Sequence, residues 1–296
     1  MGTLGGLTGA HGALTEPQAL FFAVIFFGSL LAGVIGALAG LGGGVLVVPL
    51  LTALGVDFHL AVGASIVSVI ATSSGAAAAY VRDHITNLRV GMFMEIATTL
   101  GALTGAALIL ITPTALLFVI FGLVLLFSIV PLIFKLGEEL PQMVRPDVWS
   151  KRFALASTYP DARLGRTVAY DVTNVPTGFS IMYVAGVLSG LLGIGSGAFK
   201  VLAMDTAMKL PMKVSTTTSN FMIGVTAAAS AGIYFQRGYI DPLIAAPVAL
   251  GVLSGATLGA RVLTRFSNAG LRKFFIPVLG LVALEMLIRG ALLIFK

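Results

Sequence analysis

The chain has no cysteine, three histidines and one tryptophan among 296 residues, and only 10% of its residues carry charge. Without cysteine there is no disulfide, no thiolate metal site and no cysteine nucleophile. His11, His59 and His84 are distant in sequence and lack metal-binding spacing such as H-E-x-x-H, so no metal centre is expected. No set of His, Cys and carboxylate could supply both nucleophile and base, which argues against an enzyme. The scarcity of charge excludes an ordinary water-facing surface, because 57% of residues are hydrophobic and the mean hydropathy is +1.03.

Long apolar runs take the place of those features. Charge-free stretches cover 19–56, 96–134, 172–199, 214–236 and 242–260, each long enough for the ~20 residues that cross a bilayer core. They are apolar on every face and rich in Gly and Ala, unlike the alternating ~10-residue strands of a membrane β-barrel. The pattern predicts an all-α, multi-pass membrane protein. Its net charge of +6 includes no basic run interleaved with aromatics, so the expected partner of that charge is anionic lipid and not nucleic acid. Residues 1–16 hold no Lys or Arg, so the first apolar segment is expected to stay in the mature protein.

Eleven of the 30 charges fall between Lys135 and Asp171, in a segment that also contains Trp149 and three prolines. This predicts an extramembrane loop at 136–176, between a first repeat at 17–135 and a second at 177–296, with 1–16 outside the membrane. The halves resemble each other: AGVIGALAGLGGG at 32–44 and AGVLSGLLGIGSG at 185–197 share seven of thirteen positions. In the first half, helices are expected near 17–39, 43–54, 59–81, 89–111 and 114–135. In the second they are expected near 177–193, 196–208, 213–236, 241–263 and 269–294. Segments of ~12 residues cannot span a bilayer. Each glycine-linked pair therefore reads as a re-entrant hairpin, leaving three net crossings per half, and an odd number makes the repeats inverted. With both termini outside, fourteen of the eighteen Lys and Arg fall on the cytoplasmic side of an inner membrane.

The clusters Gly40, Gly42, Gly43, Gly44 and Gly193, Gly195, Ser196, Gly197 break helices where water cannot satisfy the backbone, which is tolerated beside protein or a polar cavity. Glycine brings bare N–H groups close to a ligand, and the helix that follows points its positive end at the break. That suits an anion; close helix packing is the plainer alternative. Neither cluster continues as a nucleotide motif, since Val45 and Ala198 stand at the positions where a third glycine is needed. The next helices open with hydroxyls: Ser65, Ser68, Thr72, Ser73 and Ser74 in one half, Ser215, Thr216, Thr217, Thr218 and Ser219 with Asn220 in the other. These could donate to an oxyanion or coordinate sodium, or bond back to their own helices.

Lys200 falls in the first turn of the second short helix, where the dipole disfavours a cation, so a negative partner is expected nearby. The bound anion, Glu95 and Asp205 are the candidates within the chain's reach, with a lipid headgroup as another. The matching first-half residue is Val47. Glu95 could carry a proton or snorkel to the surface. Both H+ and Na+ stay open as coupling ions, and no cofactor is expected.

GLGGGVLVVPLL at 40–51 and SGLLGIGSGAFKVLAMD at 189–205, each followed by a Ser/Thr cluster, resemble the TauE/SafE family of sulfite and organosulfonate exporters. The resemblance covers nearly the whole chain. It implies a secondary transporter of small sulfur-containing anions, with its site at the repeat interface. By motif, the implied positions are Gly40, Gly42, Gly43, Gly44, Ser65 and Ser68, and Gly193, Gly195, Gly197, Thr217, Thr218 and Asn220. The sequence departs from the pattern at Ser196, where the usual residue is glycine, and at Leu202, which matches Pro49. An anion channel, or a transporter of another oxyanion or a carboxylate, fits the same features.

Overall fold

The computed structural model describes residues 16–39, 43–82, 84–134, 144–161, 165–263 and 268–295. The first half contains α1 (Glu16–Ala39), α2 (Gly44–Ala53), α3 (Phe58–Arg82), α4 (Leu88–Leu108) and α5 (Thr114–Phe134). A short α6 (Val148–Arg152) and the strands β1 (Ser157–Asp161) and β2 (Arg166–Tyr170) follow. The second half contains α7 (Val175–Leu192), α8 (Gly197–Leu202), α9 (Met212–Gln236), α10 (Pro242–Leu263) and α11 (Asn268–Ile294). Every expected apolar helix is present within a few residues of its expected limits. The segment expected at 196–208 is less uniform: α8 passes into a π-helical turn over Ala203–Ala207.

Among the described residues, four stretches are long and apolar enough to cross a membrane: Gln18–Gly36, Leu88–Leu108, Val175–Leu192 and Ile276–Ile294. At 24 residues α1 rises about 36 Å, whereas the ten residues of α2 rise about 15 Å. The short helix turns back along the long one, because a Cβ on Gly28 would lie 2.8 Å from Leu50.

Along α1 and α4 large apolar side chains face outward and small residues form the helix contacts, while Phe58, Phe121 and Tyr234 fill the interior. On α4, Met92, Ile96, Leu100 and Leu103 are exposed, while Ala97, Gly101, Ala102 and Gly105 are buried. On α1 the exposed stripe is Leu20, Val24, Phe27 and Leu31. Lipid is as apolar as leucine, so burying leucine between helices gains little there, and small residues that let backbones approach hold the helices together. A Cβ on Gly101 or Gly105 would fall on the carbonyls of Tyr183 or Val187, and one on Gly186 or Gly190 on those of Thr98 or Ala102. Positions along α4 and α7 thus rise together, and the two helices run parallel. Gly33 of α1 and Gly255 of α10 meet the partner backbone in the same way.

The helix pairing is unchanged when the halves are exchanged. α1 packs on α10 as α7 packs on α4, and α3 packs on α9 while α5 packs on α11. Gly63 faces Tyr239 whereas Gly224 faces Ser73, so α3 and α9 run antiparallel. Gly290 faces Ala115 and Val119, and Gly280 faces Ile129, so α5 and α11 also run antiparallel.

Between the halves, the expected loop contains structure that the helix-only reading omits. β1 and β2 form an antiparallel hairpin pairing Ser157 with Tyr170. Asn87 ties this hairpin to the bundle: its side chain caps α4 at Val90 and donates to the Leu155 carbonyl and the Tyr170 hydroxyl, at 2.9 and 2.8 Å. Burial pushes the Tyr170 phenol up to about 12, with the Asn87 hydrogen bond acting in the opposite direction.

Gly190 and Gly232 differ in what an added side chain would meet. Gly190→Val should lower the melting temperature of purified protein by the equivalent of about 1 to 3 kcal/mol or more, because its Cβ would collide with backbone. Gly232→Ala meets nothing within 4 Å on α9 and should be neutral or stabilising by up to about 1 kcal/mol.

Candidate functional site

A helix that stops inside an apolar bundle leaves carbonyls at its end and N–H groups at the start of the next. The break between α7 and α8 follows this rule in detail. Gly193, Gly195 and Ser196 all have positive φ, at 66°, 72° and 50°. This left-handed conformation is natural for glycine and strained for most side chains, so the glycines are first a conformational requirement.

Carbonyls at and beside the break accept from hydroxyls. Buried Tyr234 donates to the carbonyls of Gly190 and Leu191, at 2.8 and 3.3 Å. Ser65, on α3 of the other half, donates to the Gly193 carbonyl at 2.8 Å and to that of Gly44 at 3.2 Å. Ser219 repeats the second contact in its own half, donating to the Gly197 carbonyl at 3.1 Å. The two breaks abut: a Cβ on Gly44 would lie 3.0 Å from the Gly193 oxygen and 2.5 Å from Val69. Packing thus accounts for Gly44, and Gly43 is likewise closed off by Val252.

The donors are treated differently. Ile194, Gly195 and Ser196 are buried, and among the described residues their backbone N–H groups have no hydrogen-bond partner. The Ser196 hydroxyl, 3% exposed, also has none. Consecutive N–H groups around left-handed residues form a concavity suited to an anion.

The other expected site residues fall into three groups. Gly40 and Gly42 lie outside the described residues. Ser68 donates to the Ser65 carbonyl, Thr217 to those of Lys213 and Val214, and Thr218 accepts from the Asn87 N–H. These three hydroxyls are therefore engaged with backbone and not aimed at the break. Asn220 is partly buried on α9.

Lys200 is fully buried and donates to the Thr226 hydroxyl, which lies 2.7 Å from Glu95 Oε1. Of the partners expected for Lys200, the structure brings it Glu95, through Thr226. The far end of the first hairpin has its own cation. Arg289 pairs with Glu285 at 2.9 Å and donates to the Thr52 carbonyl at the end of α2, where the dipole favours positive charge. Among the described residues, no group of three His, Asp or Glu could hold a metal.

Sequence reasoning singles out neither Tyr234 nor Thr226, and it names Ser219 only within its hydroxyl cluster. Ser219 follows Ser65, and Thr226 follows Thr72, by the same 154 positions that relate the repeats in this region, so the repeat could have indicated two of them. Removing the shared donor tests the reading of the breaks. Ser65→Ala leaves two buried carbonyls without a hydroxyl and should cost about 1 to 3 kcal/mol in thermal stability. Ser68→Ala, which removes only a bond to its own helix, should cost much less.

Comparison with known proteins agrees with this architecture. Residues 25–286 match the family model described as "Sulfite exporter TauE/SafE". The chain is 26% identical over 277 residues to "Probable membrane transporter protein YunE" of Bacillus subtilis (strain 168), covering 91% of this chain and 98% of that one. It is 27% identical over 244 residues to "Probable membrane transporter protein YdhB" of the same organism, covering 82% and 89%. A further "Probable membrane transporter protein", from Xylella fastidiosa (strain 9a5c), is 26% identical over 263 residues, covering 88% and 91%. No solved structure matches the chain. With the family model spanning nearly its full length, this chain belongs to the sulfite exporter TauE/SafE family of membrane transporters.

Proposed function

We propose that the protein is a secondary active transporter that moves a small sulfur-containing anion, such as sulfite, sulfoacetate or a related organosulfonate, across the inner membrane. The observation that carries this reading is the row of buried donors at Ile194, Gly195 and Ser196 that have no partner among the described residues, beside carbonyls of Gly190, Leu191 and Gly193 that accept from hydroxyls. Successive buried donors in a left-handed turn suit an oxyanion and not a cation. The family description supplies the sulfur chemistry.

In this reading the halves are inverted repeats, each a re-entrant hairpin followed by three crossings, and the site lies where the hairpin tips meet. Support comes from α2 turning back along α1, and from the antiparallel course of the equivalent pairs α3 with α9 and α5 with α11. A two-fold axis in the membrane plane reverses each helix relative to its counterpart. Both termini then lie outside, and the loop at 136–176 is cytoplasmic, as the Lys and Arg distribution favours.

Two measurements test this. Purified protein should gain thermal stability with sulfite, sulfoacetate or methanesulfonate, and proteoliposomes should show saturable exchange. Stabilisation by none of them would reject the anion assignment, and unsaturable current would favour a channel. For topology, Ser150 is buried, so probes belong on exposed neighbours. Lys151→Cys should be protected from an impermeant thiol reagent in intact cells and Arg237→Cys should react; the opposite pattern would invert the model.

A further inference from the structure

Resting on the transporter reading above, the arrangement around Thr226 bears on what drives transport. Glu95 of α4 belongs to the first half, whereas Lys200 of α8 and Thr226 of α9 belong to the second. Lys200 is 0% exposed and Glu95 8%. The Thr226 hydroxyl accepts from Lys200 Nζ and has one proton to give. Two acceptors compete for it: Glu95 Oε1 at 2.7 Å and the Met222 carbonyl of its own helix at 2.8 Å. Thr99 also reaches Glu95 Oε1, at 3.2 Å. Glu95 Oε2 is buried with no partner.

A buried, charged carboxylate oxygen without a donor is costly, and a proton on it removes the charge and so the larger part of that cost. Two arrangements are therefore available. With Glu95 ionised, Thr226 donates to it and Lys200 is held by its charge. With Oε2 protonated, Thr226 can turn its proton to Met222, and the ammonium is left needing another anion.

The fold itself does not require these charges. At the equivalent positions of the other half stand Val47 for Lys200 and Ala249 for Glu95, while Thr72 matches Thr226. Thr72 simply donates to the carbonyls of Ser68 and Val69. A junction built once with a charge pair and once without needs a reason other than packing for the pair.

The surroundings isolate Glu95 and Lys200 as a pair. Lys200 is the charged group acting electrostatically on Glu95, and Glu95 on Lys200. On α4 itself, Arg89 donates to the Ala154 carbonyl. On α7, Tyr183 bonds Thr104, and on α9, Tyr234 is engaged with carbonyls of α7. Lys213 lies at the opposite end of α9 from Tyr234, and Asp205 and Lys209 follow α8 at the end remote from Ser196. Lys200 itself is one helical turn beyond Ser196, its N–H bonded to the Ser196 carbonyl at 3.1 Å. Lys200 is thus on the short helix that begins beside the unpaired Ser196 hydroxyl.

We infer that Glu95 is the proton-carrying group of this transporter, and that a monovalent substrate anion takes its place as the counter-ion of Lys200 when Oε2 accepts a proton from the aqueous side. One negative charge replaces another, so the buried site keeps its charge. Anion and proton then bind together and cross in the same direction, with H+ as the coupling ion. Thr226 is a positioning residue between the two charges.

The test uses the full chain in detergent and methanesulfonate, which remains a monoanion across the neutral range. The wild type should take up about one proton per methanesulfonate bound, and its affinity should fall about tenfold per pH unit where ligand-free Glu95 is ionised. Glu95→Gln should bind with no proton uptake and a flat pH profile. Lys200→Met should weaken binding about tenfold or more, with Lys200→Arg keeping part of it. Wild-type binding without proton uptake, or a Glu95→Gln protein that retains the wild-type pH profile, overturns the inference and leaves anion transport standing. Failure of methanesulfonate, sulfite and sulfoacetate to bind counts instead against the anion reading. Infrared difference spectra of the ligand-free protein then decide the proton role separately. A protonated-carboxyl band that grows in as the pH is lowered and is lost in Glu95→Gln supports it, and no such band at any pH at which the protein stays folded overturns it.

Discussion

The constraint on which this architecture depends is that a backbone broken inside an apolar bundle must find hydrogen-bond partners within the protein. Around the α7–α8 break, carbonyls are met by hydroxyls from two helices: Tyr234 and Ser219 from α9, and Ser65 from α3 of the other half. Each is a side chain on a continuous helix, so the break is held by rigid neighbours and not by a loop. In the proposed function, the sign of the site follows from the donors that stay unpartnered there, the N–H groups of Ile194, Gly195 and Ser196 and the Ser196 hydroxyl.

Much of the fold was legible because hydropathy and turn chemistry act locally. Long charge-free runs ended by Arg82, or by Arg237 and Gly238, fix helix limits within a few residues. The pairing of those helices was not legible. It depends on Gly101, Gly105, Gly186 and Gly190 meeting specific carbonyls, and a glycine in sequence does not say which backbone it faces. The β-hairpin at 157–170 was missed because a charged, proline-containing segment shows no apolar period, and its order comes from Asn87 and the bundle beneath it.

The candidate site was legible only at its centre. The glycine clusters marked the breaks, and the demand of a buried ammonium for negative charge pointed from Lys200 to Glu95 among other partners. The hydroxyl clusters were less informative, since direction decides their role. Ser65 and Ser68 lie three residues apart on α3; one crosses to two other elements while the other returns to its own helix. Composition cannot separate them. Comparing the halves position by position does better, because Ser65 with Ser219 and Thr72 with Thr226 are the hydroxyls that both copies keep.

That comparison also shows where the repeats depart from symmetry, and the departures share one region. Ser196 replaces Gly43, Lys200 replaces Val47 and Glu95 replaces Ala249, all beside the second break, whereas Ser65 gives its single proton to carbonyls of both breaks. A hydroxyl shared between two halves cannot keep both bonds at full strength if the halves rock against each other. Glu95 is on a helix that packs against α7 and α9, so the same motion would change its distance from Lys200. In the proposed cycle the symmetric parts therefore supply two alternative tip positions of similar energy. The charges, present on one side only, make the choice between those positions depend on what is bound.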